Sequence, residues 1–213
     1  MSMRKHILGV IGRARSRRRT ALSRGDKRGA AAALRTIRRW RAKLARTPRR
    51  CPKPKLTFHS VKNWFARPSL KPNLLVLHST ESSPGSGVGV SNYLSHGSTQ
   101  ADVHVVIDAD GTSYRLVPDK RKAWHVAAYN ARSLGIEQVG RAAQTDWPEA
   151  QLRAVACQLA HWSRKYHIPL RDARHDLTRG VVTHASLGSA GGGHTDPGSH
   201  YPFERVLKLA KTY

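Results

Sequence analysis

The chain is poor in acid, in cysteine and in long apolar runs, and each shortage excludes something. Of its 213 residues only thirteen are Asp or Glu, against thirty-eight Lys or Arg, a net charge of +25. Two cysteines, Cys51 and Cys157, stand far apart and neither belongs to a CxxC pair, so neither a disulfide framework nor a Cys-rich structural zinc site is implied. Both are expected to be free thiols. No run of about 18 apolar residues is present, which excludes a membrane-spanning helix by hydropathy. The stretch Ile7-Leu8-Gly9-Val10-Ile11 is too short for the core of a signal peptide and arginines follow it at once, so no export signal is expected.

The scarcity of acid is uneven. Residues 1–55 hold twenty Lys or Arg against the single acid Asp26, whereas residues 56–213 hold eighteen against twelve. The charge therefore divides the chain into a basic helical segment, 1–50, a Pro/Lys linker, 51–57, and an ordinary domain, 58–213. In the first part Ile7, Leu8, Ile11 and Ala14 recur at helical spacing up to Leu22. Ser23-Arg24-Gly25-Asp26 reads as a turn, and Ala33, Leu34, Ile37, Trp40 and Leu44 repeat the spacing over 29–45. An antiparallel helical hairpin follows, with a narrow apolar seam and arginine elsewhere. Such a surface suits an anionic polymer or a membrane surface. Nucleic acid is the weaker alternative, because Trp40 is the only aromatic among the basic residues. A solvated tail with no fixed partner is the third reading.

Beyond the linker the pattern is α/β, a mixed sheet covered by helices. Leu74–Leu77, Val103–Ile107, Thr112–Val117, Leu134–Val139 and Val181–Thr183 read as strands, with Asp108-Ala109-Asp110-Gly111 a hairpin turn. Residues 89–96, 148–166 and 202–211 read as helices. Two of the apolar runs end in histidine, His78 and His184, and Asp196 sits among Gly191-Gly192-Gly193 and Pro197-Gly198. Taken alone, either histidine suits a strand end better than a ligand. Together, two imidazoles and one carboxylate form a three-ligand set that leaves a position open, the pattern of a catalytic zinc site.

His78-Ser79-Thr80, Gly135-Ile136-Glu137, Thr183-His184 and His194-Thr195-Asp196-Pro197-Gly198 occur in an order and spacing that resemble the zinc N-acetylmuramoyl-L-alanine amidases, the amidase-2 group related to peptidoglycan recognition proteins and phage endolysins. The resemblance covers about residues 58–213. It implies a peptidoglycan substrate, one Zn2+ per chain on His78, His184 and Asp196, and hydrolysis of the amide between N-acetylmuramic acid and L-alanine. A binding module without turnover and a bacterial wall-remodelling amidase are the alternatives to a phage endolysin. A monomer made in the host cytoplasm and acting at the wall after release is expected.

Glu137, in a largely apolar strand, is the candidate general base; as an ordinary strand acid it would instead pair with Arg132 or Arg141. Many relatives carry lysine two residues before the last ligand, where this chain has His194. A charged imidazole there could stabilise an oxyanion. His194, Asp196 and His200 also form an H-x-D-x3-H cluster that leaves the third ligand open. Some phage relatives use a tyrosine where this chain has Val103, which places more weight on Glu137. Trp124-His125 resembles a Trp-His element lining the substrate groove, and Asn130 and Arg132 are candidates to face the peptide stem; packed loop residues are the plain alternative.

Overall fold

The computed structural model describes residues 3–46, 51, 56–58, 65–66, 72–96 and 99–213. By compactness the chain forms two units, Met1–Arg50 and Cys51–Lys211.

The first unit is a helical hairpin of α1 (Met3–Ser23) and α2 (Lys27–Arg46). Its seam holds Ile7, Ile11 and Ala14 of α1 and Ala30, Ala33 and Ile37 of α2, all buried and spaced three or four residues apart. Leu8, read from sequence into the seam, is 54% exposed; it lies one residue beyond Ile7, about 100° round the helix. Asp26 starts α2, its Oδ1 accepting the Gly29 N–H at 2.8 Å. His6 and Trp40 meet edge to face.

The second unit is a six-stranded mixed sheet in the order β1-β5-β4-β7-β3-β8. Its strands are β1 (Leu56–Phe58), β3 (Leu74–Ser79), β4 (Val105–Ile107), β5 (Ser113–Arg115), β7 (Ser133–Gln138) and β8 (Gly180–Thr183). Within this sheet, among the described residues, only β4 and β5 pair antiparallel, across the expected 108–111 turn. A two-residue pair, β2 (Phe65–Ala66) with β6 (Arg121–Lys122), stands apart. The helices are α3 (Gly87–Ser95), α4 (Glu149–Tyr166) and α5 (Phe203–Ala210). Leu56–Phe58, divided in the sequence reading between linker and domain, is an edge strand parallel to β5; residues 52–55 of that linker lie outside the described residues.

Strand residues alternate between faces. Leu75, Leu77, Leu134, Ile136, Val105 and Ile107 pack with Leu152, Val155, Leu159, Trp162, Val206 and Leu207 of α4 and α5 in the main core. On the opposite face Leu74, Val76 and Val182 pack with Val126, Ala173 and Leu187. By the same alternation His78 and Glu137 fall on this second face, at the carboxyl ends of parallel strands, where α/β sheets commonly bind ligands.

The free-thiol expectation is overturned: Cys51 and Cys157 are joined in a disulfide, with Cα atoms 5.5 Å apart. A separation of 106 residues, one end beside the Pro/Lys stretch and the other in a helix, hides this pairing from spacing alone.

Candidate active site

Three parallel strand ends build the site. His78 lies on β3 opposite Glu137 on the neighbouring β7. His184 follows β8 directly, and its N–H donates to the Leu77 carbonyl at 3.1 Å. Asp196 returns from the glycine loop, tied back where its carbonyl accepts the Ala185 N–H at 2.9 Å. That loop turns at Gly192 and Gly193, with φ of +110° and +74°, conformations that other residues rarely adopt. Gly198 is required for space as well, since a Cβ there would fall 1.9 Å from the Ala142 carbonyl oxygen.

The candidate ligand atoms converge. His78 Nδ1 and His184 Nδ1 are 3.0 Å apart, His184 Nδ1 is 3.0 Å from Asp196 Oδ1, and His78 Nδ1 is 3.3 Å from Asp196 Oδ2. A tetrahedral metal with N and O ligands at 2.0–2.1 Å requires ligand–ligand edges of about 3.3 Å. The three buried side chains therefore fit one metal ion. Each imidazole is fixed through its other nitrogen: His184 Nε2 donates to the Gly191 carbonyl at 2.9 Å, and His78 Nε2 meets His125 Nδ1 at 2.9 Å.

The electrostatics differ between the two imidazoles. Burial pushes the His78 pKa down, outweighing the Asp196 hydrogen bond and favouring the neutral, ligating form. For His184 burial acts in the same direction, but the Asp196 hydrogen bond and charge outweigh it and the net shift is upward. Burial alone would raise Asp196; its bonds to His184 and His78 hold it well below the usual carboxylate range. Glu137 shows the reverse. Burial, followed by the charges of Asp196 and Glu81, raises it well above its ordinary value. Its Oε1 lies 3.9 Å from His78 Nδ1, and its buried Oε2 accepts no hydrogen bond from the described residues.

These groups open onto a cavity of about 790 Å³ whose wall includes Trp124, His125 and Asn130. His194 is exposed at its edge, stacked on His184 with ring centroids 4.5 Å apart, and it stands outside the converging triad. His200 is exposed and also outside the triad. Asn130 is a wall builder: its Oδ1 accepts the N–H groups of His125 and Val126 at 2.9 and 2.7 Å. Asp102, missed in the sequence reading, plays a similar part. Its Oδ1 accepts the Trp124 N–H at 2.6 Å, and burial raises its pKa to about 6.

Arg132 is a correction, because the structure does not bring it to the cavity. Its guanidinium donates to the Leu177 and Thr178 carbonyls and lies over Tyr129, binding η1 (Ala127–Arg132) to the segment before β8. A long side chain leaving the start of β7 reaches carbonyls at that end of the sheet, away from the strand ends that form the site.

Known proteins share this fold. AmiA of Staphylococcus aureus, solved with its ligand, aligns over 81% of this chain and 88% of its own, with a TM-score of 0.64 at 22% identity. The endolysin amidase LysCS of Clostridium intestinale aligns over 77% of this chain and 99% of its own, with a TM-score of 0.51 at 21% identity. N-acetylmuramoyl-L-alanine amidase A of Achromobacter lyticus is 30% identical over 94 residues, 43% of this chain; the chain spans about half (51%) of that curated relative's length. Residues 68–199 match the amidase-2 family, described as N-acetylmuramoyl-L-alanine amidase. That stretch covers more than half of the chain and holds His78, His184 and Asp196 together with Glu137, and on it the chain belongs to the N-acetylmuramoyl-L-alanine amidase family.

Proposed function

We propose that this chain is a zinc-dependent peptidoglycan amidase that hydrolyses the bond between the lactyl carbonyl of N-acetylmuramic acid and the amine of L-alanine, and that it serves in phage lysis of a bacterial host. The observation that carries the reading is the convergence of His78 Nδ1, His184 Nδ1 and Asp196 beside a half-buried Glu137 whose Oε2 has no hydrogen-bond partner among the described residues, in a chain of this family.

His78, His184 and Asp196 would hold the metal. When bound, Zn2+ supplies Lewis-acid polarisation of the scissile carbonyl and the attacking water. Glu137 takes a proton from that water and passes it to the departing L-alanine nitrogen. A carboxyl whose proton affinity is raised by burial suits both transfers. His194, stacked at the cavity edge, offers positive charge to the developing oxyanion whenever its ring is protonated. Trp124 and His125 form the wall against which the peptide stem lies.

The lysis role is supported by the endolysin among the structural relatives. In this reading the protein is a monomer that acts at the wall after release from the host cytoplasm. Its basic hairpin holds it to anionic wall polymer or to the membrane surface. Digestion of purified cell wall tests the reaction: mass spectrometry should show free L-alanine amino termini and intact glycan strands. New reducing ends or cleaved cross-bridges in their place would overturn it.

A further inference from the structure

His78 is buried, and both of its ring nitrogens are committed. Nδ1 faces His184 and Asp196, and Nε2 lies 2.9 Å from Nδ1 of His125. The line of contacts continues: His125 Nε2 lies 3.1 Å from Ser133 Oγ, and Ser133 Oγ donates to the Tyr129 carbonyl at 2.8 Å. A carbonyl can only accept, so the last bond sets the direction of the others. Ser133 spends its proton on Tyr129 and must accept from His125 Nε2–H. His125 Nδ1 then carries a lone pair and must accept from His78 Nε2–H, which leaves the lone pair of His78 on Nδ1, facing Asp196 and His184. With both rings neutral, one arrangement of protons satisfies these three contacts, and it turns the lone pair of His78 Nδ1 toward Asp196 and His184.

The seat of His125 is also built. Gly135, one turn of the strand pleat before Glu137, lies beneath its ring. A Cβ added at Gly135 would fall 2.6 Å from His125 Nδ1 and 2.7 Å from Cε1. Gly135 has no positive φ, so the glycine serves the space and not the backbone. The Gly135 N–H donates to His104 Nδ1 at 3.0 Å, and His104 packs edge-on to His125, so the ring is held from two sides.

We propose that His125 is a positioning residue for the metal site: it accepts the His78 Nε2–H, fixes that ring's tautomer and rotation, and is itself aimed by Ser133 and seated on Gly135. The inference rests on the metal-site reading above and departs from the view of His125 as a substrate contact alone. A substrate contact would leave metal affinity unchanged when no substrate is present.

The test is therefore the Zn2+ affinity of the full-length chain, measured by competition with a chelator without peptidoglycan. His125→Phe keeps a planar ring and removes the acceptor; it should weaken Zn2+ binding about 10–100-fold. His125→Asn places Oδ1 where Nδ1 stood and should recover affinity to within a few-fold of wild type. Gly135→Ala leaves every polar group in place but displaces the ring, and should weaken binding as His125→Phe does. It also serves if His125→Phe fails to fold. Wild-type affinity in His125→Phe or in Gly135→Ala would overturn the proposal, as would equal losses in the Phe and Asn variants. Failure of the wild-type chain itself to take up zinc would instead overturn the metal reading, and this inference with it.

Discussion

His78 and Glu137 face one another across neighbouring parallel strands, in register, with His78 Nδ1 3.9 Å from Glu137 Oε1. One element pair thus places a candidate metal-ligating imidazole and a half-buried carboxyl side by side on the sheet. The carboxyl is close enough to act on whatever the ligands hold, and it remains outside the converging set of His78, His184 and Asp196.

The wild-type protein should hold one zinc per chain, and His78→Ala or His184→Ala should abolish both metal and wall-cleaving activity. Each imidazole supplies one of three ligand atoms packed 3.0–3.3 Å apart, so neither has a substitute within the triad. Metal analysis of the purified variants decides it, and full zinc in either would remove that residue from the site.

Glu137→Gln should keep the fold and the zinc and lose about 10²–10⁴ in rate, the usual worth of a general base. The amide fills the same space and cannot take a proton. Rates on purified wall, read beside zinc content, check this. Activity within a few-fold of wild type would move the base elsewhere.

His194→Lys should be tolerated and should extend activity toward alkaline pH, because an amine remains charged well above the range of an imidazole. His194 is exposed and stacked on His184, which leaves room for a flexible side chain. The pH profile of wall cleavage is the readout; loss of zinc from this variant would show that His194 is a ligand.

Much of this site was legible because apolar runs ending in His78 and His184 mark buried strands whose last residue emerges at the sheet's edge. The edge strands β1, β2 and β6, two or three residues long, are too short for alternation to show. The His125–His78 bond, the Cys51–Cys157 bridge and the turn of Arg132 toward Leu177 join residues 45 to 106 positions apart, and local pattern carries no trace of such pairings. Asn130, read from the sequence as a candidate to face the peptide stem, lines the cavity, but its side-chain carbonyl is occupied by the backbone of the wall it supports.

Stability should depend on one ion cluster remote from the site. Asp119, buried, meets Arg115 and Lys165. Burial alone would raise its pKa, but the two cations outweigh it and hold it at about 2 against an ordinary 3.8. A lowered carboxylate contributes stability above its unfolded value, and that contribution is lost as pH falls from about 4 to about 2. At neutral pH it is of order 2 kcal/mol, at about 1.4 kcal/mol per pKa unit. Asp119→Asn should therefore lower Tm by about 4–8 °C at pH 7, at about 2–4 °C per kcal/mol for a domain of this size. The deficit should shrink toward pH 2–3, and calorimetry at both pH values would show a constant deficit if the ion pairs were not its source.

The basic hairpin should deliver the enzyme and take no part in the chemistry. Twenty Lys or Arg against one acid lie in residues 1–55, whereas every proposed catalytic and ligand residue lies beyond His78 or at it. A chain beginning at Cys51 keeps the bridge to Cys157 and removes the two helices. It should cleave a small soluble muropeptide at a near-normal rate and clear intact walls more slowly, because only the polymer offers a dense row of negative charge. The gap should narrow as salt rises, since attraction between exposed charges is screened over about 8–10 Å at physiological ionic strength. Equal wall-clearing rates for the two chains at low salt would refute the anchoring role. A truncated chain that no longer cleaves muropeptide would show that the hairpin supports the catalytic unit itself, and a gap that persists unchanged at high salt would point to apolar rather than electrostatic attachment.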